Sequence, residues 1–244
     1  MIGRRENMIL SEEERFKHYN INVFLGNPND KGDIERYPYH QRRLKGCMFH
    51  AMCYAYGYTS YESAQEVFGK PVETFKDQVN NIEKTRHPKL VVDVGAGRGE
   101  LTAAFLSHGV ECYAVDPSEG AKSIIPLTFQ DWVGEECPDF FINKPLKDAL
   151  TDLQNDPVDT FIMCESIEHI REEEFTEAYE IMVEMLRRTE GMLVVTNWVG
   201  FHPINVDGGG WDHIRRIDDG VYDALCSKAK KTVLRKGSHL VLTY

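Results

Sequence analysis

No run of about 18 consecutive apolar residues occurs in the 244-residue chain, so nothing in it reads as a membrane-spanning helix. Paired cysteine motifs are missing too. Cys47, Cys53, Cys112, Cys137, Cys164 and Cys226 are scattered, without a Cys-x-x-Cys spacing, and Cys112 and Cys164 fall inside apolar runs. That pattern reads as buried, reduced thiols rather than a metal knuckle or a disulfide framework. Positive charge is in deficit: 28 Lys and Arg face 39 Asp and Glu, a net charge of −11. Such a balance disfavours a nucleic-acid partner, which needs cationic side chains to displace counterions, and an anionic membrane surface. Internal repeats and low-complexity tracts are absent. Residues 1–7 lack the apolar centre of a secretory signal, which makes a cytoplasmic location the expectation.

What is present is ordinary soluble composition, 42% hydrophobic and 27% charged, at a length that suits one large core. The character changes near residue 87. Residues 1–86 are rich in aromatic and charged residues and read as short helices, over 36–58, 60–69 and 72–84. They are expected to form a helical extension or lid. From residue 87 to 244, short β-branched runs alternate with helical periodicity. Strands are expected at 90–94, 110–116, 140–143, 158–164 and 191–197, with helices over 100–107 and 172–188. Residues 231–244 read as a hairpin around Lys236-Gly237-Ser238. Alternating strands and helices imply a doubly wound, mostly parallel α/β sheet.

Two segments carry the chemistry. Asp93-Val94-Gly95-Ala96-Gly97-Arg98-Gly99-Glu100 lies between a strand and a helix, where residues without a Cβ let backbone approach a ligand. Asp116, followed by Pro117, closes the second strand on the same edge, where a carboxylate can accept hydrogen bonds from ribose hydroxyls. The glycine spacing is G-x-G-x-G, not the G-x-G-x-x-G that cradles a pyrophosphate, and Glu100 would set a negative charge beside any phosphate. A cationic nucleoside cofactor without phosphate suits that better.

The pattern resembles the class I S-adenosylmethionine-dependent methyltransferases over roughly residues 89–244. The resemblance implies a seven-stranded sheet with a C-terminal antiparallel hairpin. It also implies S-adenosylmethionine as cofactor, with S-adenosylhomocysteine as product. Asp93 and Gly95, Ala96, Gly97 and Gly99 would lie at the methionine end of the cofactor, and Asp116 and Pro117 at its ribose. Asn143 is the candidate for the adenine, in a place where the family often has an acid.

The stretch Glu165-Ser166-Ile167-Glu168-His169 resembles the acid-x-x-Glu-His segment of many members acting on small molecules. It makes Glu165 a candidate for both cofactor binding and catalysis, and His169 and His213 candidate catalytic bases, with His202 third. An alternative resemblance is to the metal-dependent enzymes that methylate the terminal 2′-hydroxyl of small RNAs. Glu165, Glu168 and His169 on one helical face, with His213, would then hold a divalent metal. Departures after the fifth strand, where Thr196-Asn197-Trp198 stands, and the net charge argue against it. Acceptor contacts are expected from Trp198, His202 and Trp211 in the loop after the fifth strand, and from Tyr39 and Arg43 in a basic cluster. Tyr54, Tyr56, Tyr58 and Tyr61 read either as pocket lining or as packing for the lid. The readings to be separated are a small-molecule O- or N-methyltransferase, the RNA enzyme, and a non-catalytic partner of the same fold.

Overall fold

A computed structural model describes residues 44–57, 75–80, 82, 86–135, 137–197 and 217–244. Five strands run parallel: β1 (Leu90–Val94), β2 (Glu111–Val115), β3 (Phe141–Ile142), β4 (Thr160–Cys164) and β5 (Met192–Thr196). β6 (Lys231–Lys236) and β7 (His239–Thr243) form the hairpin, and β7 inserts antiparallel between β5 and β6. The sheet order is β3-β2-β1-β4-β5-β7-β6, the seven-stranded, mostly parallel arrangement expected. β1, β4 and β5 are buried at every position, as continuous apolar runs demand when helices cover both faces. Gly237, at φ +57°, supplies the left-handed residue of the two-residue hairpin loop.

One face is covered by α1 (44–55), α2 (Phe75–Val79), α3 (Glu100–Ser107) and α4 (Glu119–Val133). The other is covered by α5 (Leu146–Leu153), α6 (Glu172–Thr189) and α7 (Asp219–Lys228). α6 shows why its segment is helical. Phe175, Ala178, Tyr179, Met182, Val183 and Leu186 fall on one buried stripe at three- and four-residue spacing. Glu172, Glu173 and Glu174 in its first turn and Arg187 and Arg188 in its last complement the helix dipole, each by about 0.3–1 kcal/mol. α4 starts on Ser118, whose hydroxyl accepts the Ala121 N–H at 3.1 Å, and stops at Gly134 in the left-handed region.

Among the described residues, those before residue 87 pack into the core of the sheet. Cys47 to Tyr56 are all buried, and they pack with Leu101, Phe105, Ile162, Val194 and Val241. A helix apolar on every side has to be enclosed, and α1 is a layer of the sheet's own core. Tyr54 and Tyr56 belong to this packing, Tyr56 lying against Phe105 with ring centroids 5.7 Å apart. Most of the remainder of 1–86 lies outside the described residues, with Tyr39, Arg43, Tyr58 and Tyr61. Among the described residues, no helix is long and apolar enough to cross a membrane.

Candidate functional site

Strand register sets the site. Val94 of β1 lies opposite Val115 of β2 and Met163 of β4, and Cys164 lies opposite Thr196 of β5. The loops opening at Gly95, Asp116, Glu165 and Asn197 therefore leave one edge at nearly one level. This is the carboxyl edge of a parallel sheet, where open α/β folds bind ligands.

The glycine loop bends there through three left-handed residues, Gly95 (φ +70°), Gly97 (φ +55°) and Gly99 (φ +73°). A side chain would clash at one of them and be tight at another. A Cβ on Gly95 would stand 2.5 Å from Ser166 Cβ, and one on Gly99 3.1 Å from Ile125 Cγ1. The loop is thus wedged between the segment after β4 and α4. Gly95 and Ala96 both donate their N–H to the Val115 carbonyl, at 2.8 and 3.2 Å.

The two acids sit on either side of this loop. Asp93 is buried, and Thr102 Oγ1 donates to its Oδ2 at 2.8 Å. Burial pushes the Asp93 carboxyl up to about 7, with the nearby Asp116 charge adding to the rise and the Thr102 bond opposing it. Asp116 is buried and also raised by burial. Its Oδ2 accepts the Gly97 N–H at 2.9 Å, and its Oδ1 accepts Ser118 N–H at 2.9 Å and Ser118 Oγ–H at 2.6 Å. A carboxylate has about four acceptor positions, so one is left for a ligand rather than a free pair.

Asn143 follows β3 and donates through Nδ2 to the carbonyls of Asp116 (2.8 Å) and Ser118 (3.2 Å). It braces the Asp116 turn, and its side-chain oxygen is what it could offer an adenine amine. Pro117 is exposed beside it. Glu100 is buried and lies 3.6 Å from the buried Arg98 guanidinium, so its charge is partly offset.

The segment after β4 departs from the helical face expected of it. Ile167–His169 is a single 3-10 turn, and Glu165 stands before it at φ +51°. A left-handed residue followed by a tight turn breaks the three- and four-residue spacing, so Glu165, Glu168 and His169 do not line up as on an α-helix. Glu165 is half-buried and accepts the Cys47 S–H at 3.2 Å, while its own N–H goes to the Thr196 carbonyl at 3.0 Å. Glu168 is fully buried and accepts Asn197 Nδ2 at 3.3 Å. His169 is half-buried. Among the described residues, no three His, Cys, Asp or Glu groups are placed to hold a metal ion. His213 lies outside the described residues, as do Trp198, His202 and Trp211.

Several residues of the site carry no motif. Thr102, Ser118 and Cys47 contact the acids directly and belong to none of the patterns read from the sequence. Beside the loop is a cavity of about 20 Å³ whose lining includes Leu44, Met48, Asp93, Gly95, Arg98 and Cys164.

No family model and no curated protein matches the chain. Similar solved structures include a SAM-dependent methyltransferase from Archaeoglobus fulgidus, 14% identical over 75% of this chain and 99% of its own, with a TM-score of 0.44. Another is magnesium protoporphyrin IX methyltransferase from Synechocystis PCC 6803 with bound SAM, 15% identical over 80% of this chain and 95% of its own, at a TM-score of 0.43.

Proposed function

We propose that the chain is an S-adenosylmethionine-dependent methyltransferase acting on an oxygen or nitrogen of a small-molecule acceptor. The observation that carries this reading is the Asp116 carboxylate, held by Gly97 and Ser118 beside a left-handed glycine loop at the carboxyl edge. The fit to the cofactor rests on three features of the chain. One acceptor position of Asp116 suits a ribose hydroxyl. The buried Asp93 and Asp116 suit a ligand bearing positive charge. Gly95, Gly97 and Gly99, all left-handed, form the loop beside these acids, and packing on Ser166 and Ile125 fixes its position.

When bound, the cofactor supplies an electrophilic methyl on a sulfonium. The work left to the protein is alignment of the acceptor and exclusion of water. Asp93 and the Gly95–Gly99 backbone would hold the methionine end, Asp116 the ribose, and Asn143 Oδ1 the adenine amine. Glu165, held beside the loop by Cys47, would receive an N–H or O–H of the acceptor. His169 and His213, with His202, are proposed as bases for a hydroxyl acceptor. Trp198, Trp211, Tyr39 and Arg43 are proposed as acceptor contacts.

The test is incubation of pure protein with methyl-labelled S-adenosylmethionine and cell extract, followed by separation of products by size and nuclease sensitivity. Label in small molecules supports the reading. Label in short, nuclease-sensitive RNA overturns the acceptor class. Absence of cofactor binding by calorimetry overturns the reading itself.

A further inference from the structure

We propose that Cys47 and Cys164 form a redox-sensitive dithiol whose disulfide closes the glycine-loop cradle, an inference that rests on the cradle's being the cofactor site. The two residues are far apart in sequence and on different elements, α1 and the end of β4. Three ties bring them together. Thr196 Oγ1 donates to the Cys47 carbonyl at 3.0 Å, and Thr196 is the register partner of Cys164. The Cys47 S–H reaches Oε1 of Glu165, the neighbour of Cys164, at 3.2 Å. The Cys164 thiol also acts on the Cys47 thiol directly, raising its pKa. All six cysteines are unbridged in this structure, so the pair stands reduced.

The place of the pair gives a disulfide its consequence. Cys164 lines the small cavity beside the glycine loop, opposite Leu44 and Met48 of α1. A sulfur–sulfur bond would staple α1, whose Leu44 and Met48 line the cavity, to the end of β4. The space is about 20 Å³, against roughly 300 Å³ or more for an ordinary ligand site. The methionine end of the cofactor, assigned to Asp93 and the glycine-loop backbone, enters only if α1 and the loop move apart, and the staple opposes that.

The chemistry needs an oxidant small and uncharged enough to reach buried sulfur, and hydrogen peroxide is the class proposed. The neighbouring Cys164 thiol, burial and the Glu165 charge hold the Cys47 thiol well above its usual range, so little thiolate stands ready. Glu165, already accepting the S–H, takes that proton as the Cys47 sulfur attacks one peroxide oxygen. The O–O bond breaks, and the departing hydroxide takes the proton from Glu165 to become water. Cys164 sulfur then attacks the Cys47 sulfenic sulfur. The S–O bond breaks, and the released hydroxide takes the Cys164 proton as a second water. Two thiols and one peroxide give one disulfide and two waters, with two electrons passing from sulfur to oxygen. The adjacent thiol intercepts the sulfenic acid before further oxidation.

The experiment uses the full chain treated with hydrogen peroxide, digested without reduction, and mapped by mass spectrometry. A Cys47–Cys164 linked peptide is expected, with S-adenosylmethionine affinity by calorimetry lowered at least about tenfold because the binding-competent form is depleted. Dithiothreitol should restore it. Cys47→Ser should show neither change, and Cys164→Ser serves the same purpose if the first variant does not fold. Failure to find the linked peptide, at a peroxide dose that oxidises the partly exposed Cys137 and Cys226, overturns the dithiol. A linked peptide with unchanged affinity overturns the closure. If the reduced protein binds no cofactor while the linked peptide forms, the methyltransferase reading falls and the dithiol stands.

Discussion

Gly97 donates its backbone N–H to Asp116 Oδ2 at 2.9 Å, so the glycine loop and the acid after β2 are one hydrogen-bonded unit. The acid shapes the loop as well as facing the ligand. Asp116→Ala should therefore have two effects. Stability should fall by about 1–3 kcal/mol as the Gly97 and Ser118 donors lose their acceptor, measured by urea denaturation. S-adenosylmethionine affinity should fall by at least about tenfold, or 1.4 kcal/mol, measured by calorimetry. Unchanged affinity would remove Asp116 from the site.

Asp93 makes cofactor binding depend on pH. Its carboxyl titrates near 7 because burial opposes the charged form. A cationic ligand favours the carboxylate, so affinity should rise as pH increases through about 7, with up to one proton released on binding. In the free protein the sign reverses. The folded state keeps its proton longer than the unfolded chain, so this group lowers stability as pH rises from about 4 towards 7. Asp93→Asn should flatten both dependences, read by calorimetry in buffers of different ionisation enthalpy and by thermal melts. A wild-type affinity independent of pH between 6 and 8 would refute the assignment.

His50 and His239 act in the opposite sense. Their rings meet edge to face at 4.9 Å, and Tyr54 Oη lies 3.1 Å from His239 Nδ1. Burial lowers each imidazole to about 4, with the His50 charge adding to the effect at His239. The unfolded chain protonates first as pH falls below 6.5. Each ring should then cost about 1.4 kcal/mol of stability per pH unit down to about 4. Replacing His239 by Gln should make the acid limb of the stability profile shallower. An unaltered slope would show that His239 is not held neutral.

Gly95 and Gly109 separate crowding from backbone conformation. Both are left-handed, at φ +70° and +72°. Gly109→Ala meets nothing within 4 Å and should cost only about 1–2 kcal/mol of left-handed strain. Gly95→Ala adds a contact of 2.5 Å with Ser166 Cβ, and should lose cofactor affinity as well as stability. Equal behaviour of the two variants in binding would show that the Gly95 turn is not part of the cradle.

The sequence is most readable where chemistry and periodicity are local. β1, the glycine loop and α3 follow one another without a gap, and Glu100–Ser107 has the predicted bounds. α4 is harder to see, because Gly120 and Pro126 lie inside it and both read as breakers; its packing on Ala103 and Ala114 overrides them. The segment after β4 misleads for a different reason. Glu-x-x-Glu-His fits a helical face by spacing, but the segment holds a left-handed Glu165 and a 3-10 turn packed beside the glycine loop, which no local pattern announces. The role of α1 is equally silent. Its burial depends on Ile162, Val194 and Val241, all distant in sequence, and so does the meeting of Cys47 with Glu165.

The strand order also dictates an order of assembly. β6 is an outer strand of the sheet, and β7 stands between it and β5 although it comes later in the chain. During synthesis β6 emerges with no neighbour to pair with until β7 exists. The Tyr222 hydroxyl bond to the Ser238 carbonyl and the Tyr179–Tyr244 hydroxyl pair, 2.6 Å apart, also need residues from 238 onward. The five parallel strands can thus be laid down progressively, but the antiparallel border closes only when β7 arrives. A nascent chain stalled before residue 239 would carry an unpaired β5 edge exposed to aggregation.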